Sequence, residues 1–276
     1  MRKDAGARPA IFAARFAAMT KQVNLNADMG ESYGAYKMGD DERLLKVVRS
    51  ASIACGFHAG DPTVMHELVM RARDEGVSIG AHPGFNDLWG FGRRRIDTGL
   101  RDLEYMVAYQ IGALQAMAQY AGLRVTHVKA HGALSNMAAE NIEIALAVAK
   151  AAKTVDRGLV CLAVAGTQLE AAARKLGLPL AREGFCDRSY EDDGNLTPRK
   201  IAGAVIAEPQ VAKENALKMV LDGEIISRSG KRVALCPDSL CVHGDEPNAY
   251  AVAKAVREGL EAAGVRVVPL SEMKLA

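Results

Sequence analysis

The sequence predicts an α/β fold in the form of an irregular seven- or eight-stranded, TIM-like β/α-barrel. From residue 22 onward, short apolar segments alternate with longer amphipathic segments. Strands that alternate with helices are typical of parallel sheets, in which each helix crosses over to the next strand. Glycine also follows four of the amphipathic segments, at the position where it commonly ends a helix: Gly76, Gly122, Gly177 and Gly264.

An open, doubly wound nucleotide-binding sheet is the alternative to a barrel. Such a sheet usually has a glycine-rich turn after its first strand. The first predicted strand is followed instead by Gly30-Glu31-Ser32, and no Gly-Lys-Ser/Thr run occurs in the chain. The segment 90–92, Gly-Phe-Gly, lacks the third glycine of the fingerprint, and we interpret it as a mobile loop. The barrel is therefore favoured, and the sequence contains no standard nucleotide-binding motif.

The individual elements follow from the hydrophobic pattern. Apolar runs predict strands at 22–28, 51–57, 77–83, 124–132, 159–166, 178–185, 231–237 together with 239–244, and 265–272. Amphipathic periodicity predicts helices at 40–49, 63–75, 100–120, 142–154, 167–176, 208–222 and 249–262.

Length and composition favour one barrel domain. The chain has 276 residues, of which 49% are apolar, and a β/α-barrel takes about 250 residues. We find no linker and predict a single domain over residues 20–276. Charged residues make up 25% with a net charge of +2, which gives no general attraction to nucleic acid or acidic membranes. No apolar run reaches the roughly 20 residues that span a bilayer.

Residues 1–19 differ from the rest of the chain because they are rich in alanine and arginine. Arg15 interrupts their apolar stretch, so we interpret them as a flexible extension from an upstream start codon rather than a secretory signal. The five cysteines are odd in number and scattered. This pattern favours reduced thiols and a cytoplasmic location over a disulfide framework.

Polar residues gather where each predicted strand ends. In a β/α-barrel the carboxyl ends of the strands carry the active site, and alternate residues of a strand share one face. The residues at these positions are Asn24, Asn26, Asp28, His58, Asp61, His82, His127, Lys129, His131, Glu183, Asp187, His243 and Asp245.

These residue types suit proton transfer and carbonyl activation. Histidine titrates near neutral pH, a neighbouring carboxylate raises its basicity, and a buried lysine can stabilise an oxyanion. Aspartate and histidine could also hold a divalent metal ion, although no spacing signature identifies one. His127 lies deepest in its strand and favours a structural role, and His66 falls in a predicted helix. Cys55, among small apolar neighbours, favours packing over nucleophilic catalysis.

Six motifs resemble those of the LamB/YcsF family, in order and over about residues 22–270. They are Asn24–Glu31 (NLNADMGE), 53–62 (IACGFHAGDP), 80–85 (GAHPGF) with 90–94 (GFGRR), 128–134 (VKAHGAL), 183–188 (EGFCDR) and 241–245 (CVHGD). Three positions depart from the usual family residues: Ala130 replaces proline, Ser135 replaces tyrosine and Cys186 replaces alanine. These changes put the substrate preference and turnover rate in doubt, but not the fold.

The resemblance implies a barrel of the glycoside hydrolase and polysaccharide deacetylase type. It also implies ATP-dependent opening of 5-oxoproline to glutamate, in which the chain is the A subunit and works with separate B and C subunits. Since this chain has no nucleotide motif, phosphorylation of the lactam oxygen would fall to the partners. Two alternatives remain: a metal-dependent, deacetylase-like amidohydrolase, and a non-enzymatic accessory protein that binds a small acid. A homo-oligomer also remains open.

The strand-end positions and the motifs together define the expected site. We predict catalytic roles for five residues: Asp28, His58, His82, Lys129 and His131. We predict substrate-binding roles for five more: Asn26, Glu31, Arg94, Asp187 and His243.

Overall fold

Seven parallel strands close into a barrel in the computed structural model, which describes residues 21–275. The strands of the described chain are β1 (Gln22–Met29), β2 (Ser50–Ala54), β3 (Ser78–His82), β4 (Val125–Val128), β5 (Val160–Val164), β6 (Leu180–Phe185), β7 (Glu224–Ile226), β8 (Arg232–Ala234), β9 (Ser239–His243) and β10 (Arg266–Val267).

The strand order is β1-β2-β3-β4-β5-β6-β9, and β9 pairs back to β1. Asn26 pairs with Ser50 of β2 on one side and with Cys241 of β9 on the other. The short strand β10 pairs with the amino-terminal end of β1, with Gln22 opposite Arg266. The predicted irregular barrel of seven or eight strands is thus confirmed: seven strands close it and an eighth extends the sheet.

Helices connect the strands and cover the outside of the barrel. They are α1 (Asp41–Leu45), α2 (Pro62–Asp74), α3 (Leu100–Tyr120), α4 (Gly132–Glu140), α5 (Ile142–Val155), α6 (Gln168–Leu176), α7 (Pro209–Leu217) and α8 (Ala249–Ala262), with a π-helical turn at Lys218–Asp222 and a 3₁₀ turn at Leu270–Glu272. Helix α4 is absent from the sequence prediction. It begins directly after His131 with no side-chain cap, so no N-terminal signal separates it from the strand motif.

One predicted barrel strand is wrong. Residues 231–237 do not join the barrel; β8 pairs antiparallel with β7 in a separate two-stranded sheet, with Val233 opposite Ile225. Arg232 and Ala234 are exposed, so this segment lacks the buried faces of a central strand. Pro237, which follows, cannot donate a ladder hydrogen bond. The seventh barrel strand is β9 alone.

Two predicted helices end earlier than the sequence indicates. Helix α1 stops at Leu45 rather than at residue 49, and Ser50 already pairs in β2. Helix α7 gives way after Leu217 to the π-helical turn, which ends at Gly223 in the left-handed conformation (φ +72°). Glycine reaches this conformation without steric cost.

The two faces of the strands have different surroundings. In β1, Leu25, Ala27 and Met29 are fully buried and belong to the main hydrophobic core, while Asn24 and Asn26 reach side chains of other strands across the barrel interior. The period of two residues along a strand produces this separation. Apolar packing against the helices therefore leaves the barrel interior free for polar groups.

No helix in the described part of the chain is long and apolar enough to cross a membrane. The predicted extension at residues 1–19 lies outside the described residues, and the domain boundary at residue 20 stays a prediction.

Candidate active site

Polar side chains fill the barrel interior in layers. In the lowest layer, Asn24 donates from Nδ2 to Ser50 Oγ at 2.8 Å and accepts from Ser239 Oγ at 2.8 Å. One layer higher, Asn26 donates to Glu183 Oε1 at 3.0 Å and to Ser239 Oγ at 2.9 Å. These bonds satisfy the buried amides, whose burial without partners would be costly. Their effect is to support the charged groups above them.

Lys129 lies at the centre of the next layer between two carboxylates. Its Nζ is 2.8 Å from Asp28 Oδ1 and 2.9 Å from Glu183 Oε1, and it also lies 3.0 Å from Cys241 Sγ. Burial by itself lowers the pKa of Lys129, but the interactions with Asp28, Cys241 and Glu183 outweigh burial and raise the pKa well above its usual value. Lys129 is thus a permanent buried cation.

The two carboxylates beside Lys129 differ in acidity. Burial raises the pKa of Asp28, but the interactions with His82 and Lys129 outweigh burial and hold the pKa well below its ordinary value. For Glu183 burial prevails over the attraction of Lys129, so its pKa is raised. Asp28 is therefore the ionised partner. Its second oxygen, Oδ2, is 3.4 Å from His82 Nε2.

His82 and His131 face each other through ring nitrogens 3.0 Å apart, Nε2 of His82 and Nδ1 of His131. The outer nitrogen of each ring contacts a backbone carbonyl, which can only accept a hydrogen bond. His82 Nδ1 therefore donates to Lys129 O at 2.8 Å, and His131 Nε2 donates to Phe91 O at 2.8 Å. In the neutral rings, both facing nitrogens then carry lone pairs.

Glu31 and His58 complete this group. Glu31 Oε1 lies 3.3 Å from His58 Nε2 and 3.6 Å from His131 Nδ1. The His58 ring stacks on His131 with centroids 3.6 Å apart and planes 5° from parallel. Burial, and next the charge of Asp28, raise the pKa of Glu31 well above its usual value.

The two stacked histidines are poor bases in the folded chain. Burial, together with the neighbouring His131 and His82, lowers the pKa of His58 well below its ordinary value. Burial and the charge of His82 lower the pKa of His131 to about 3. Four groups of this layer each offer one ligand atom, all within 4.8 Å of one another, and could hold a metal ion: Glu31, His58, His82 and His131.

A second pair lies beside this layer on the neighbouring strand. His243 is the register partner of Asp28 in the β1–β9 pairing. Its Nδ1 and its backbone N–H both contact Asp187 Oδ2 at 2.9 Å. Burial raises the pKa of Asp187, but His243 outweighs it and keeps the pKa below its usual value. Of these two residues expected to bind substrate, His243 thus lies next to Asp28, and Asp187 holds His243.

The structure does not bring Arg94 into this group. Its guanidinium pairs with buried Asp87, and its side chain is 63% exposed. The adjacent Arg93 instead pairs with Asp245 at 2.5 Å. The assignment of Arg94 to substrate binding stays a prediction, whereas Arg93 is the arginine that the structure orients toward the β9 rim.

The segment 90–92, which the sequence analysis interprets as a mobile loop, contacts the site through its backbone. The carbonyl of Phe91 accepts from His131, and the carbonyl of Gly92 accepts from the backbone of Ala133. Phe91 has a left-handed backbone (φ +52°), which is unusual for a residue other than glycine. No sequence signal identifies a backbone carbonyl as part of a site.

Glu183 and Cys241 contact Lys129 in the site, although the sequence analysis predicts no role for them. The sequence puts Glu183 at a strand end without a role, and Cys241 only within a motif. Both lie on strands opposite Lys129, so their contact depends on closure of the barrel. The alternation of inward-facing residues along β6 is the signal that could identify Glu183 from the sequence.

His127 and His66 lie outside the group. His127 is fully buried lower in the barrel, where its Nδ1 lies 2.9 Å from Thr126 Oγ1. His66 is on α2, with its ring centroid 5.5 Å from that of Tyr120. A cavity of about 700 Å³ lies elsewhere again, near Arg49, Gly76 and Arg266 at the amino-terminal ends of strands. That end of a barrel serves stability rather than catalysis.

A model of the LamB/YcsF family matches residues 23–275, which include the whole barrel and every residue of this site. The chain belongs to the LamB/YcsF family. The resemblance inferred from the six motifs is therefore confirmed, and the structure puts those LamB/YcsF motifs at the carboxyl ends of barrel strands.

Relatives of this LamB/YcsF chain match it along nearly its whole length. The 5-oxoprolinase A subunit of Rhodopseudomonas palustris (strain ATCC BAA-98 / CGA009) is 50% identical over 251 residues, covering 91% of this chain and 99% of that protein. The 5-oxoprolinase A subunit of Heliobacterium modesticaldum is 52% identical over 246 residues, which cover 89% of this chain and 97% of that protein. The crystal structure of a lactam utilization protein from Thermus thermophilus matches with a TM-score of 0.87 and 46% sequence identity. The match covers 90% of this chain and 100% of that chain.

Proposed function

We propose that this chain is the A subunit of an ATP-dependent 5-oxoprolinase, which opens 5-oxo-L-proline to L-glutamate together with B and C subunits. The observation that carries the proposal is a buried acid–base layer around Asp28, Lys129 and His131 in a chain about 50% identical to proteins named as the A subunit of 5-oxoprolinase. The free state of all five cysteines supports a cytoplasmic location, where thiols stay reduced.

The chemistry to be catalysed is hydrolysis of a lactam. With the lactam oxygen phosphorylated by the partner subunits, water adds to the lactam carbon and the ring C–N bond breaks. The nitrogen takes up a proton and leaves as an amine, which gives γ-glutamyl phosphate. A second water then releases phosphate and glutamate. This sequence consumes one ATP and two waters for each ring opened.

We assign Asp28 as the general base for the attacking water because it is the ionised carboxylate of this layer, although its lowered pKa makes it a weaker base than an ordinary carboxylate. It is ionised, Lys129 holds its Oδ1, and its Oδ2 is directed toward the histidine layer. A general base must be in its deprotonated form and must lie within hydrogen-bond reach of the proton that it removes. Lys129 also supplies fixed positive charge close to the developing oxyanion, where a preorganised cation is most effective.

The mouth of the barrel offers a surface for the partner subunits. Trp89 is 95% exposed and Tyr36 is 80% exposed. These two residues belong to the loops that follow β3 and β1, at the same end of the barrel as the site. Large exposed aromatic side chains are enriched at protein–protein interfaces. We infer that the B or C subunit covers this end.

Reconstitution tests the proposal. The purified chain, incubated with 5-oxoproline, ATP and Mg²⁺, should form little glutamate alone and should become active when candidate B and C subunits are added. Robust ATP-dependent turnover by this chain alone would show that the division of labour is wrong. The histidine layer also favours a second candidate, a metal-dependent amidohydrolase. Release of acetate from N-acetylated sugars without ATP would support that candidate instead.

A further inference from the structure

The facing nitrogens of His82 and His131 form a close contact that has no hydrogen-bond donor when both rings are neutral. Both outer nitrogens donate to carbonyls, so two lone pairs oppose each other at 3.0 Å. Such a contact is repulsive unless an electron-pair acceptor lies between or beside the two nitrogens. The acceptor must be either a proton shared by the rings or a cation that both rings bind.

The surrounding groups favour a cation. Three buried carboxyl groups lie in this part of the barrel, and Lys129 contacts two of them, Asp28 and Glu183. The third, Glu31, has its Oε1 3.3 Å from His58 Nε2 and 3.6 Å from His131 Nδ1. A cation bound between Glu31 and the histidines would be the charged partner of this carboxyl group. Buried charge without compensation is strongly unfavourable.

The spacing of the ligand atoms suits a small transition-metal ion. Bonds of about 2.0–2.1 Å in tetrahedral geometry put neighbouring ligand atoms roughly 3.4 Å apart. His131 Nδ1 lies 3.0 Å from His82 Nε2 and 3.6 Å from Glu31 Oε1. The His82 and His131 rings are also 88° from parallel, so their in-plane lone pairs can converge on one point.

We propose that Glu31, His82 and His131 bind a divalent transition-metal ion of the zinc class, with the fourth position open to water. Two histidines and one glutamate with an open position form a ligand set found in catalytic zinc sites. Imidazole nitrogen also selects zinc-class ions over magnesium or calcium, which prefer oxygen ligands.

His58 is a positioning residue rather than a ligand in this arrangement. Its ring is stacked parallel to His131, so its in-plane lone pair cannot point at an ion that lies in the plane of His131. Its Nε2 instead contacts Glu31 at 3.3 Å and can hold that carboxylate toward the ion. Groups around metal ligands commonly act in this way.

Outer contacts also orient the two histidine ligands. Each donates its second nitrogen to a backbone carbonyl, of Lys129 for His82 and of Phe91 for His131. This bond fixes the tautomer with its lone pair inward, as metal-binding histidines require. A bound ion would polarise water beside Asp28. That catalytic part of the inference rests on the proposed function, but metal binding does not.

Metal binding is measured first without reference to activity. The full chain is stripped with a chelator, dialysed and titrated with Co²⁺ and separately with Zn²⁺. We expect saturation at about one ion per chain, visible absorption of tetrahedral Co²⁺ without sulfur charge-transfer bands, and a rise in Tm of roughly 5 °C or more at a hundredfold excess over Kd. A stripped wild-type chain that gains neither spectrum nor stability would overturn the proposal.

Variants identify the ligands. His82→Gln and His131→Gln should lower the bound metal at least tenfold, while His66→Gln, on the outer helix α2, should match the wild type. Circular dichroism of each variant checks folding. Equal metal content in His66→Gln and both ligand variants would mean that the ion binds elsewhere, and the proposal would be wrong.

The reconstituted complex separates this inference from the proposed function. Metal bound through His82 and His131 in a complex without oxoprolinase activity would leave the site intact and refute the function. Full activity in a complex that holds less than a tenth of an equivalent of metal would refute the site and leave the function intact.

Discussion

Lys129, the residue directly after β4, and Asp28 on β1 meet across the barrel, with Nζ 2.8 Å from Oδ1, although β2 and β3 lie between β4 and β1 in the sheet. Lys129 contacts Glu183 of β6 at 2.9 Å as well, so one cation joins three strands. The contact also decides which oxygen of Asp28 remains available. Oδ1 is held by the ammonium, and Oδ2 is directed toward His82.

Asp28→Asn should abolish most ring opening while the chain stays folded. Asparagine is nearly isosteric but cannot accept the proton of the attacking water, and removal of a general base typically costs about 10²–10⁴ in rate. Glutamate formation in the reconstituted complex measures the loss, with His66→Gln as the control. If Asp28→Asn kept the wild-type rate while His66→Gln lost activity, the site would be assigned to the wrong part of the barrel.

His131→Gln should also reduce turnover strongly. Glutamine can still donate to the Phe91 carbonyl, but its amide oxygen is a much weaker base and metal ligand than the imidazole nitrogen that it replaces. We expect kcat to fall more than KM rises, because the change affects the reacting layer rather than the groups on β9. A rise in KM alone, at unchanged kcat, would instead assign His131 to substrate binding.

Lys129→Met should destabilise the fold. It removes the cation from two buried carboxylates, and removal of one partner of a buried ion pair costs about 3–5 kcal/mol. Urea unfolding of the chain alone measures this. Adding Glu183→Gln should recover part of the loss, because one carboxylate charge is then removed.

The matched control for this prediction is Lys150→Met. Lys150 pairs with Glu104 at 2.8 Å, but its side chain is 62% exposed. Exposed pairs contribute about 0–1 kcal/mol. Equal destabilisation by the two lysine changes would contradict the central role given to the buried cation.

Gly92→Ala should disrupt the histidine layer. A Cβ at Gly92 would lie 2.7 Å from His58 Cβ and 2.8 Å from His131 Cδ2, and the backbone has φ +62°. Gly122→Ala is the control, since Gly122 has a similar φ of +67° but no atom within 4 Å of the added carbon. Both variants should lose some stability, but only Gly92→Ala should lose turnover. Loss of turnover in both variants would point to backbone strain instead.

Stability should depend on pH through Asp41. Burial raises the pKa of Asp41 from 3.8 to about 6, although its carboxylate accepts a hydrogen bond from the Gly30 backbone. A raised carboxyl pKa gives stability that is present below about pH 3.8 and lost as the pH rises through about 6. Asp41→Asn cannot ionise, so its Tm relative to wild type should increase between pH 4 and pH 7. A constant difference would exclude this linkage.

Trp89→Ala should weaken binding of the partner subunits without changing the fold of the isolated chain. Its side chain is nearly fully exposed at the barrel mouth, so truncation removes contact area rather than core packing. Co-purification with tagged B and C subunits measures the effect. Tyr120→Ala is the control: Tyr120 is 72% exposed but ends α3, near the opposite end of the barrel. Equal losses would argue against an interface at the mouth.

The barrel, most of its helices and the positions of most site residues can be predicted from the sequence. Alternation of apolar strands with amphipathic helices is a local pattern, and the period of two along a strand puts Asn24, Asn26 and Asp28 on one face. The predicted barrel strand at residues 231–237 is wrong because a short apolar run carries no information about its partner. The hairpin with β7 depends on packing that local periodicity does not encode.

Which groups meet, and in which protonation state, depends on the tertiary structure. Closure of the barrel brings Glu183 and Cys241 to Lys129, and the Gly92 turn brings the Phe91 carbonyl to His131. The tautomers of His82 and His131 follow from the carbonyls that their outer nitrogens contact. A side chain's residue type and strand position are fixed locally, whereas its burial, its hydrogen-bond partners and its pKa depend on residues that are distant in the chain, because only barrel closure brings them together.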